Sequence, residues 1–423
     1  MIKLSKVLFN STTKTRVFSF GSGLNGKLGH GLGESKIIKP KEITGKFNCA
    51  ISNITSGTTY SLFSGYNTNR DIVELYGCGD NRDGQLIIGN GKEPLLEDIR
   101  QLQSDSISPD KGTISNRAVK QLISGTYHNI CLMSDGQTLL WGTSNSGQLG
   151  SPDYQRVYFN PYNNSLLNDL GISKYSCGTT FTLALNSAEG KLYSFGSASF
   201  NELGNDNLFN ERVPKPIDNS LISSEKIVDI ASGFFHSLAL TENGRVLTWG
   251  RNQEGQCQPV PERIGKGSYT SIDYLDSQTI DSIHKRNDRI VQLAAGSLNS
   301  YLLTEQGLVY SIGTNEYGQL GIGKDKQLNS GRLHQVNLPI KVTKLFSKFK
   351  SVICTDGHRF FGWGNNFDHQ LSLETRSICY EPVELFNINS LFTDSNCEIN
   401  DISISLSHTL LLMNVHNDLP AKK

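Results

Sequence analysis

Three histidines hold one local position. His128 and His236 follow Gly125 and Gly233 by three residues, and His408 follows Ser405 by three. Imidazoles at repeated places invite a proton-transfer or metal-ligand role, because histidine titrates near neutrality and binds metals through either ring nitrogen. Tyr60, Phe181 and Asn299 stand at the equivalent places elsewhere, however. A ligand or base set built by repetition would not tolerate a phenyl ring, so these histidines are expected to be hydrogen-bonded structural groups. The eight cysteines, at 49, 78, 131, 177, 257, 354, 379 and 397, are scattered singly with no C-x-x-C pair. They are expected to be free, mostly buried thiols, with no zinc site. GSGLNGKLG at 21–29 has the glycines of a nucleotide loop, but its GK is followed by Leu28 in place of Ser or Thr. There is no G-x-S-x-G elbow and no H-E-x-x-H helix. The expectation is a protein with no catalytic residue, no cofactor and no metal.

The elements that carry these residues come in copies. One phrase, an apolar run, a glycine, usually a second glycine five residues later, then x-Leu, occurs seven times. It reads VFSFGSGLNGKLG at 17–29, LYGCGDNRDGQLI at 75–87, LLWGTSNSGQLG at 139–150 and LYSFGSASFNELG at 192–204. VLTWGRNQEGQC at 246–257, VYSIGTNEYGQLG at 309–321 and FFGWGNNFDHQLS at 360–372 complete the set. The first glycines fall at 21, 79, 142, 196, 250, 313 and 364. A second phrase precedes most copies: SGTTYSLF at 56–63, SGTYHNICL at 124–132, CGTTFTLAL at 177–185, SGFFHSLAL at 232–240 and AGSLNSYLL at 295–303. Short polar turns such as SDGQ, SAEGK, TENGR and TEQG join the second phrase to the first, which makes each unit a β-hairpin.

The sixth copy of the second phrase, FSKFKSVIC at 346–354, has lost its glycine. The seventh, SLSHTLLLM at 405–413, carries Ser405 there. The last copy has no partner after it, and the first glycine-leucine phrase has none before it. Pairing of the N- and C-terminal strands would complete one shared blade and remove the sheet edges of an open array. The fold class expected is all-β, a seven-bladed β-propeller closed by its terminal strands. Its bounds are 16–413, with a leader at 1–15 and a tail at 414–423. The leucine of the glycine-leucine phrase is expected to fill the space between blades, and Trp141, Trp249 and Trp363 to anchor the core. Asn201 and His369 replace the second glycine, and asparagine enters left-handed backbone at modest cost.

The two phrases together resemble the regulator-of-chromosome-condensation family over about residues 16–413. The family pattern, small-Gly-x-x-His-Ser-Leu-x-Leu, turn, apolar-x-x-Trp-Gly-x-Asn-x-x-Gly-Gln-Leu-Gly, is nearly complete in SGFFHSLALTENGRVLTWGRNQEGQ. The resemblance implies a protein-interaction propeller. Its relatives include guanine-nucleotide exchange factors for small GTPases, the founding one acting on Ran at chromatin. Exchange needs a binding face and no nucleophile, acid or base. The matching residues belong to the scaffold, so no exchange site is carried over. Other relatives are interaction scaffolds without exchange activity: the fungal alpha-tubulin suppressor proteins linked to diphthamide and tRNA modification, which GCGDNRDGQL resembles, and mitochondrial proteins linked to the ribosome. An enzyme acting on a small molecule in the central channel is the remaining class.

Lys+Arg and Asp+Glu are both 40, so the formal charge is zero. No whole-molecule field draws the chain to nucleic acid, and no concentrated basic tail supports chromatin binding. No run of about eighteen apolar residues predicts a membrane-spanning helix. The partner expected is a protein, with a small GTPase first, docking on a monomeric ring. The candidate binding loops are the two longest interruptions, 88–119 and 258–289. Residues 1–15 carry Lys3, Lys6 and Lys14 among hydroxyl and apolar residues, with no acid before Glu34. That composition fits either a flexible leader or a mitochondrial transit peptide. The compartment expected is intracellular, cytoplasmic or mitochondrial, rather than nuclear.

Overall fold

Each repeat hairpin becomes the middle of a four-stranded antiparallel sheet, and seven such sheets form the molecule. The computed structural model describes residues 13–88, 93–102, 118–258, 269–324, 331–388 and 397–416. Blades 1 to 6 follow in chain order. Blade 4, for example, runs Ile227–Ser232, His236–Thr241, Val246–Arg251 and Tyr269–Tyr274 from the inside outward. The innermost strands touch their neighbours in a closed cycle, blade 7 meeting both blade 6 and blade 1. They line a central channel.

Blade 7 is shared between the chain ends. Its inner pair is Cys397–Ile404 and His408–His416, and its outer pair is Thr13–Ser22 and Lys36–Glu42. The seam pairs nine residues without a bulge, from Thr13 with His416 to Gly21 with His408. The strands therefore run three residues past each bound read from the repeat phrases, since Thr13 to Thr15 and Asn414 to His416 are paired.

One register holds throughout. The residue that opens each second strand pairs with the first glycine of the third, as in Tyr60 with Gly79, His128 with Gly142, His236 with Gly250 and Ser351 with Gly364. Gly250 shows why glycine is required. Its φ is +101°, and a Cβ there would collide with the Phe235 carbonyl and the His236 backbone. Asn201 and His369, which replace the second glycine, have φ of 61° and 60°. They adopt the left-handed conformation that the loop demands.

The core lies mostly between blades. Leu86, from the glycine-leucine loop of blade 1, packs with Leu122, Cys131 and Trp141 of blade 2. The equivalent leucines 28, 149, 203, 320 and 371, and Cys257, are almost completely buried. All three tryptophans are fully buried, and each indole N–H donates to the preceding blade. Trp141 reaches Gln85 O, Trp249 Glu202 O and Trp363 Gln319 O, each at 2.8 Å. The main-chain carbonyl of the glycine-leucine phrase is thus a latch between blades.

Candidate functional site

The repeated histidines are stitches in the same interface. His408 Nε2 lies 2.9 Å from Ser61 Oγ, His236 Nε2 3.1 Å from Ser300 Oγ and His128 Nε2 3.3 Å from Thr182 Oγ1, each pair joining one blade to the next. Tyr60 does the same through its hydroxyl, which donates to Asn129 Oδ1 at 2.8 Å. Those partner hydroxyls also donate to the latch carbonyls: Ser61 to Lys27 O, Thr182 to Gln148 O and Ser300 to Gln256 O. Burial holds His128 at a pKa of about 3 and His236 at about 4, and it pushes His408 well below the ordinary histidine range. The three rings sit in separate blades and do not converge, so the structure gives them a packing role. Among the described residues no three His, Cys, Asp or Glu stand together in metal-holding geometry.

The glycine-leucine loops and the turns between first and second strands all open on one face of the ring. Of the eleven large apolar side chains exposed among the described residues, nine stand there: Leu24, Leu32, Tyr127, Tyr154, Leu208, Phe209, Tyr269, Phe367 and Leu406. Leu166 and Val228 lie toward the other face. Phe209 and Tyr154 are 74% and 80% exposed, values that place whole rings in water. Around the channel mouth the aromatics link up. Phe200 packs on Phe235 at 5.3 Å and Phe234 on Phe349 at 5.1 Å, with the Arg251 guanidinium over both Phe200 and Phe235. Lys350 Nζ sits 3.6 Å from the Tyr317 ring centre, and Tyr317 meets Phe367 edge-on.

The two stretches expected to carry binding each contain an outer strand. Within 88–119, Leu95–Leu102 is the outer strand of blade 1. Within 258–289, Tyr269–Tyr274 is the outer strand of blade 4, and Ser277–Lys285 is a helix on the opposite face that buries Ile280 and Ile283. Residues 89–92, 103–117 and 259–268 lie outside the described residues. Neither interruption is a single surface loop, because each contains the fourth strand of its blade, which lies outside the repeated phrases.

One residue that sequence reasoning passed over stands in the channel itself. In the sixth copy, Lys348 occupies the position of the missing glycine, at the end of the strand Lys344–Lys348. Its Nζ donates to Ser56 O of blade 1 at 2.6 Å and to Ser124 O of blade 2 at 2.9 Å. Its ammonium thus bridges the channel near the aromatic face, where Phe349 also stands. The lost glycine is the sequence signal for it, because it marks a substitution with its own chemistry. Beneath Lys348 lies a cavity of about 430 Å³ lined by the inner strands.

Comparison with known proteins follows the same lines. A family model described as Regulator of chromosome condensation (RCC1) repeat matches residues 135–185, 189–240 and 306–360, and a second model of that description matches 227–256 and 290–319. An RCC1 repeat-containing protein of Dictyostelium discoideum is 53% identical over 431 residues, covering 95% of this chain and 86% of that protein. The mitochondrial RCC1 domain-containing protein RUG3 of Arabidopsis thaliana is 25% identical over 433 residues, 94% of this chain and 88% of its own length. Among solved structures, Prp20p of Saccharomyces cerevisiae, described with its binding properties to Gsp1p and histones, matches with a TM-score of 0.78. It is 21% identical, over 96% of this chain and 92% of that one, a likeness of fold.

Proposed function

Because the chain belongs to the regulator of chromosome condensation repeat family, we propose that it is a non-catalytic docking ring that regulates a small GTPase by binding it. The observation that carries the proposal is the one-sided surface, with nine of eleven exposed large apolar side chains on a single face. Clustered exposed aromatics flanked by arginine and lysine are the composition of protein-binding hot spots. Exchange by such a ring needs only that the ring bind the nucleotide-free GTPase more tightly than the loaded one. A rigid scaffold with an apolar face supplies that differential without bond chemistry, and Prp20p, of the same fold, is described as binding Gsp1p.

Proximity labelling from a C-terminal tag, followed by nucleotide release from any GTPase recovered, tests it. The intact ring is expected to speed release at least about tenfold, and Tyr154→Asp with Phe209→Asp to abolish most of that gain. A recovered GTPase whose release rate the folded ring leaves unchanged would end the exchange proposal.

A second reading, a scaffold without exchange activity, is favoured by the end-to-end similarity to a mitochondrial family member. Imaging of the tagged chain separates a cytoplasmic from a mitochondrial residence. Recovery of ribosomal or tRNA-modifying proteins without any GTPase establishes the scaffold in place of the regulator.

A further inference from the structure

Lys348 departs from its repeat together with a second residue, Ser351 three positions later. In blades 1 to 4 the corresponding residues are Gly57, Gly125, Gly178 and Gly233, and the ring three residues later folds over each. A Cβ at any of them would overlap the side chain of Tyr60, His128, Phe181 or His236. In blade 6 that ring is replaced by Ser351, which is small enough to leave room for a lysine stem. The stem lines the channel and the ammonium reaches across it to blades 1 and 2.

The charge at that point has no counter-ion. An ammonium has three donors, and two of them meet main-chain carbonyls. Among the described residues no carboxylate pairs with Lys348, whose Nζ hydrogen bonds are to the two carbonyls. Withdrawal from water lowers its pKa to about 8, which leaves it mostly protonated at neutral pH. Lys348 is half-buried on the channel wall, and a cation drawn partly out of water without an anion beside it favours uptake of one.

The cavity beneath it shares the sign. Its charged lining residues are Lys120, Lys174 and Lys348, with Asp401 the one acid among them. Burial raises the Asp401 pKa to about 7, which weakens even that negative charge. Lys174 is paired with Asp229, whereas Lys120 is exposed at the start of its strand. This concentration of cations occurs in a chain whose formal charge is zero. A cleft lined by one sign focuses its field and gathers counter-ions, and about 430 Å³ lies within the range of small-ligand pockets. Lys348 spans the channel at one end of the cavity, and Lys120 and Lys174 stand at the other, where their strands begin.

We propose that the channel cavity is a receptor site for a small oxyanion, a carboxylate or phosphate group whose charged end seats against Lys348 Nζ. The third donor of the ammonium supplies the direct hydrogen bond, and Lys120 steers the anion in. The site is separate from the docking face and is independent of any GTPase.

Titration calorimetry of the full chain with inorganic phosphate and with succinate distinguishes the two anion sources. Saturable one-to-one binding of at least one of them is expected. It should weaken by about tenfold or more in both Lys348→Met and Lys348→Gly. The glycine variant restores the residue that five other blades carry here, so it tests the site even where the methionine variant fails to fold. Lys350→Met, a surface lysine over Tyr317, should bind as the parent does, and Lys120→Gln should bind more weakly. The proposal falls if neither anion binds saturably, if the Lys348 variants bind as tightly as the parent, or if only an acidic peptide binds.

Discussion

At the scale of single residues, the departures from the repeat carry more information than the agreements. Glu202 stands where most copies have glutamine, and it does the glutamine's work by accepting from Phe200 N at 2.7 Å. It does so while fully buried, and burial pushes its pKa up to about 7. A carboxyl raised in the folded state ionises first in the unfolded chain. Its destabilising effect is therefore absent below about pH 4, grows as pH rises, and is complete above about pH 7. Glu202→Gln is expected to stabilise the ring by on the order of 2 kcal/mol at pH 8 and by almost nothing near pH 4, measured as urea midpoints at the two pH values. Equal gains at both would mean that the gain came from packing and not from ionisation. The histidines depend on pH in the opposite direction: with folded-state pKa values lowered to about 3 and about 4, His128 and His236 withdraw stability as pH falls below about 6.5. Their structural role was legible from Phe181 alone, because a benzyl side chain can fill the same space but cannot ligate or transfer a proton. Lys348 was not legible in that way, since nothing in a local phrase says that its ammonium crosses to blades 1 and 2.

At the scale of elements, the second and third strands were readable and the first and fourth were not. The middle strands are buried on both faces and joined by tight turns, so they repeat as dense phrases such as SGFFHSLAL and VLTWGRN. The outer strand of blade 4, Tyr269–Tyr274, alternates exposed and part-buried residues around a single buried Ile272. It shares no phrase with Leu95–Leu102. Selection on an edge strand is loose, because only one side chain in two meets the core and its far edge faces solvent. This is why 88–119 and 258–289 looked like uninterrupted loops. The hairpins themselves depend on the glycine that opens against each second strand. Gly250→Ala, at φ +101° and against the Phe235 carbonyl, is expected to cost on the order of 2–3 kcal/mol. Asn201→Gly, at φ 61°, keeps the backbone but loses the buried side chain's hydrogen bonds with Asp206, so it should cost on the order of 1–2 kcal/mol. Thermal unfolding followed by circular dichroism compares them, and a Gly250→Ala protein as stable as the parent would remove the steric account of the repeat.

At the scale of the molecule, closure follows from a deficit visible at both ends of the chain, and the seam confirms it residue by residue. Residues 402–423 contain all of His408–His416, the strand to which the N-terminal strand is bonded. Their removal is expected to yield aggregated or molten protein in size-exclusion chromatography, whereas removal of 417–423 leaves every described strand whole and should give a folded monomer. A soluble, cooperatively unfolding product of the longer truncation would refute closure. The same seam has a mechanical meaning. Thr13 and His416 face each other at one end of it, so a pull on the two chain termini acts across the hydrogen bonds and meets them one pair at a time. Load applied that way unzips blade 7 into two hairpins before it reaches any of the six blades made from contiguous chain. The protein is thus a ring with a clasp, whose opening under load begins at the seam between its ends.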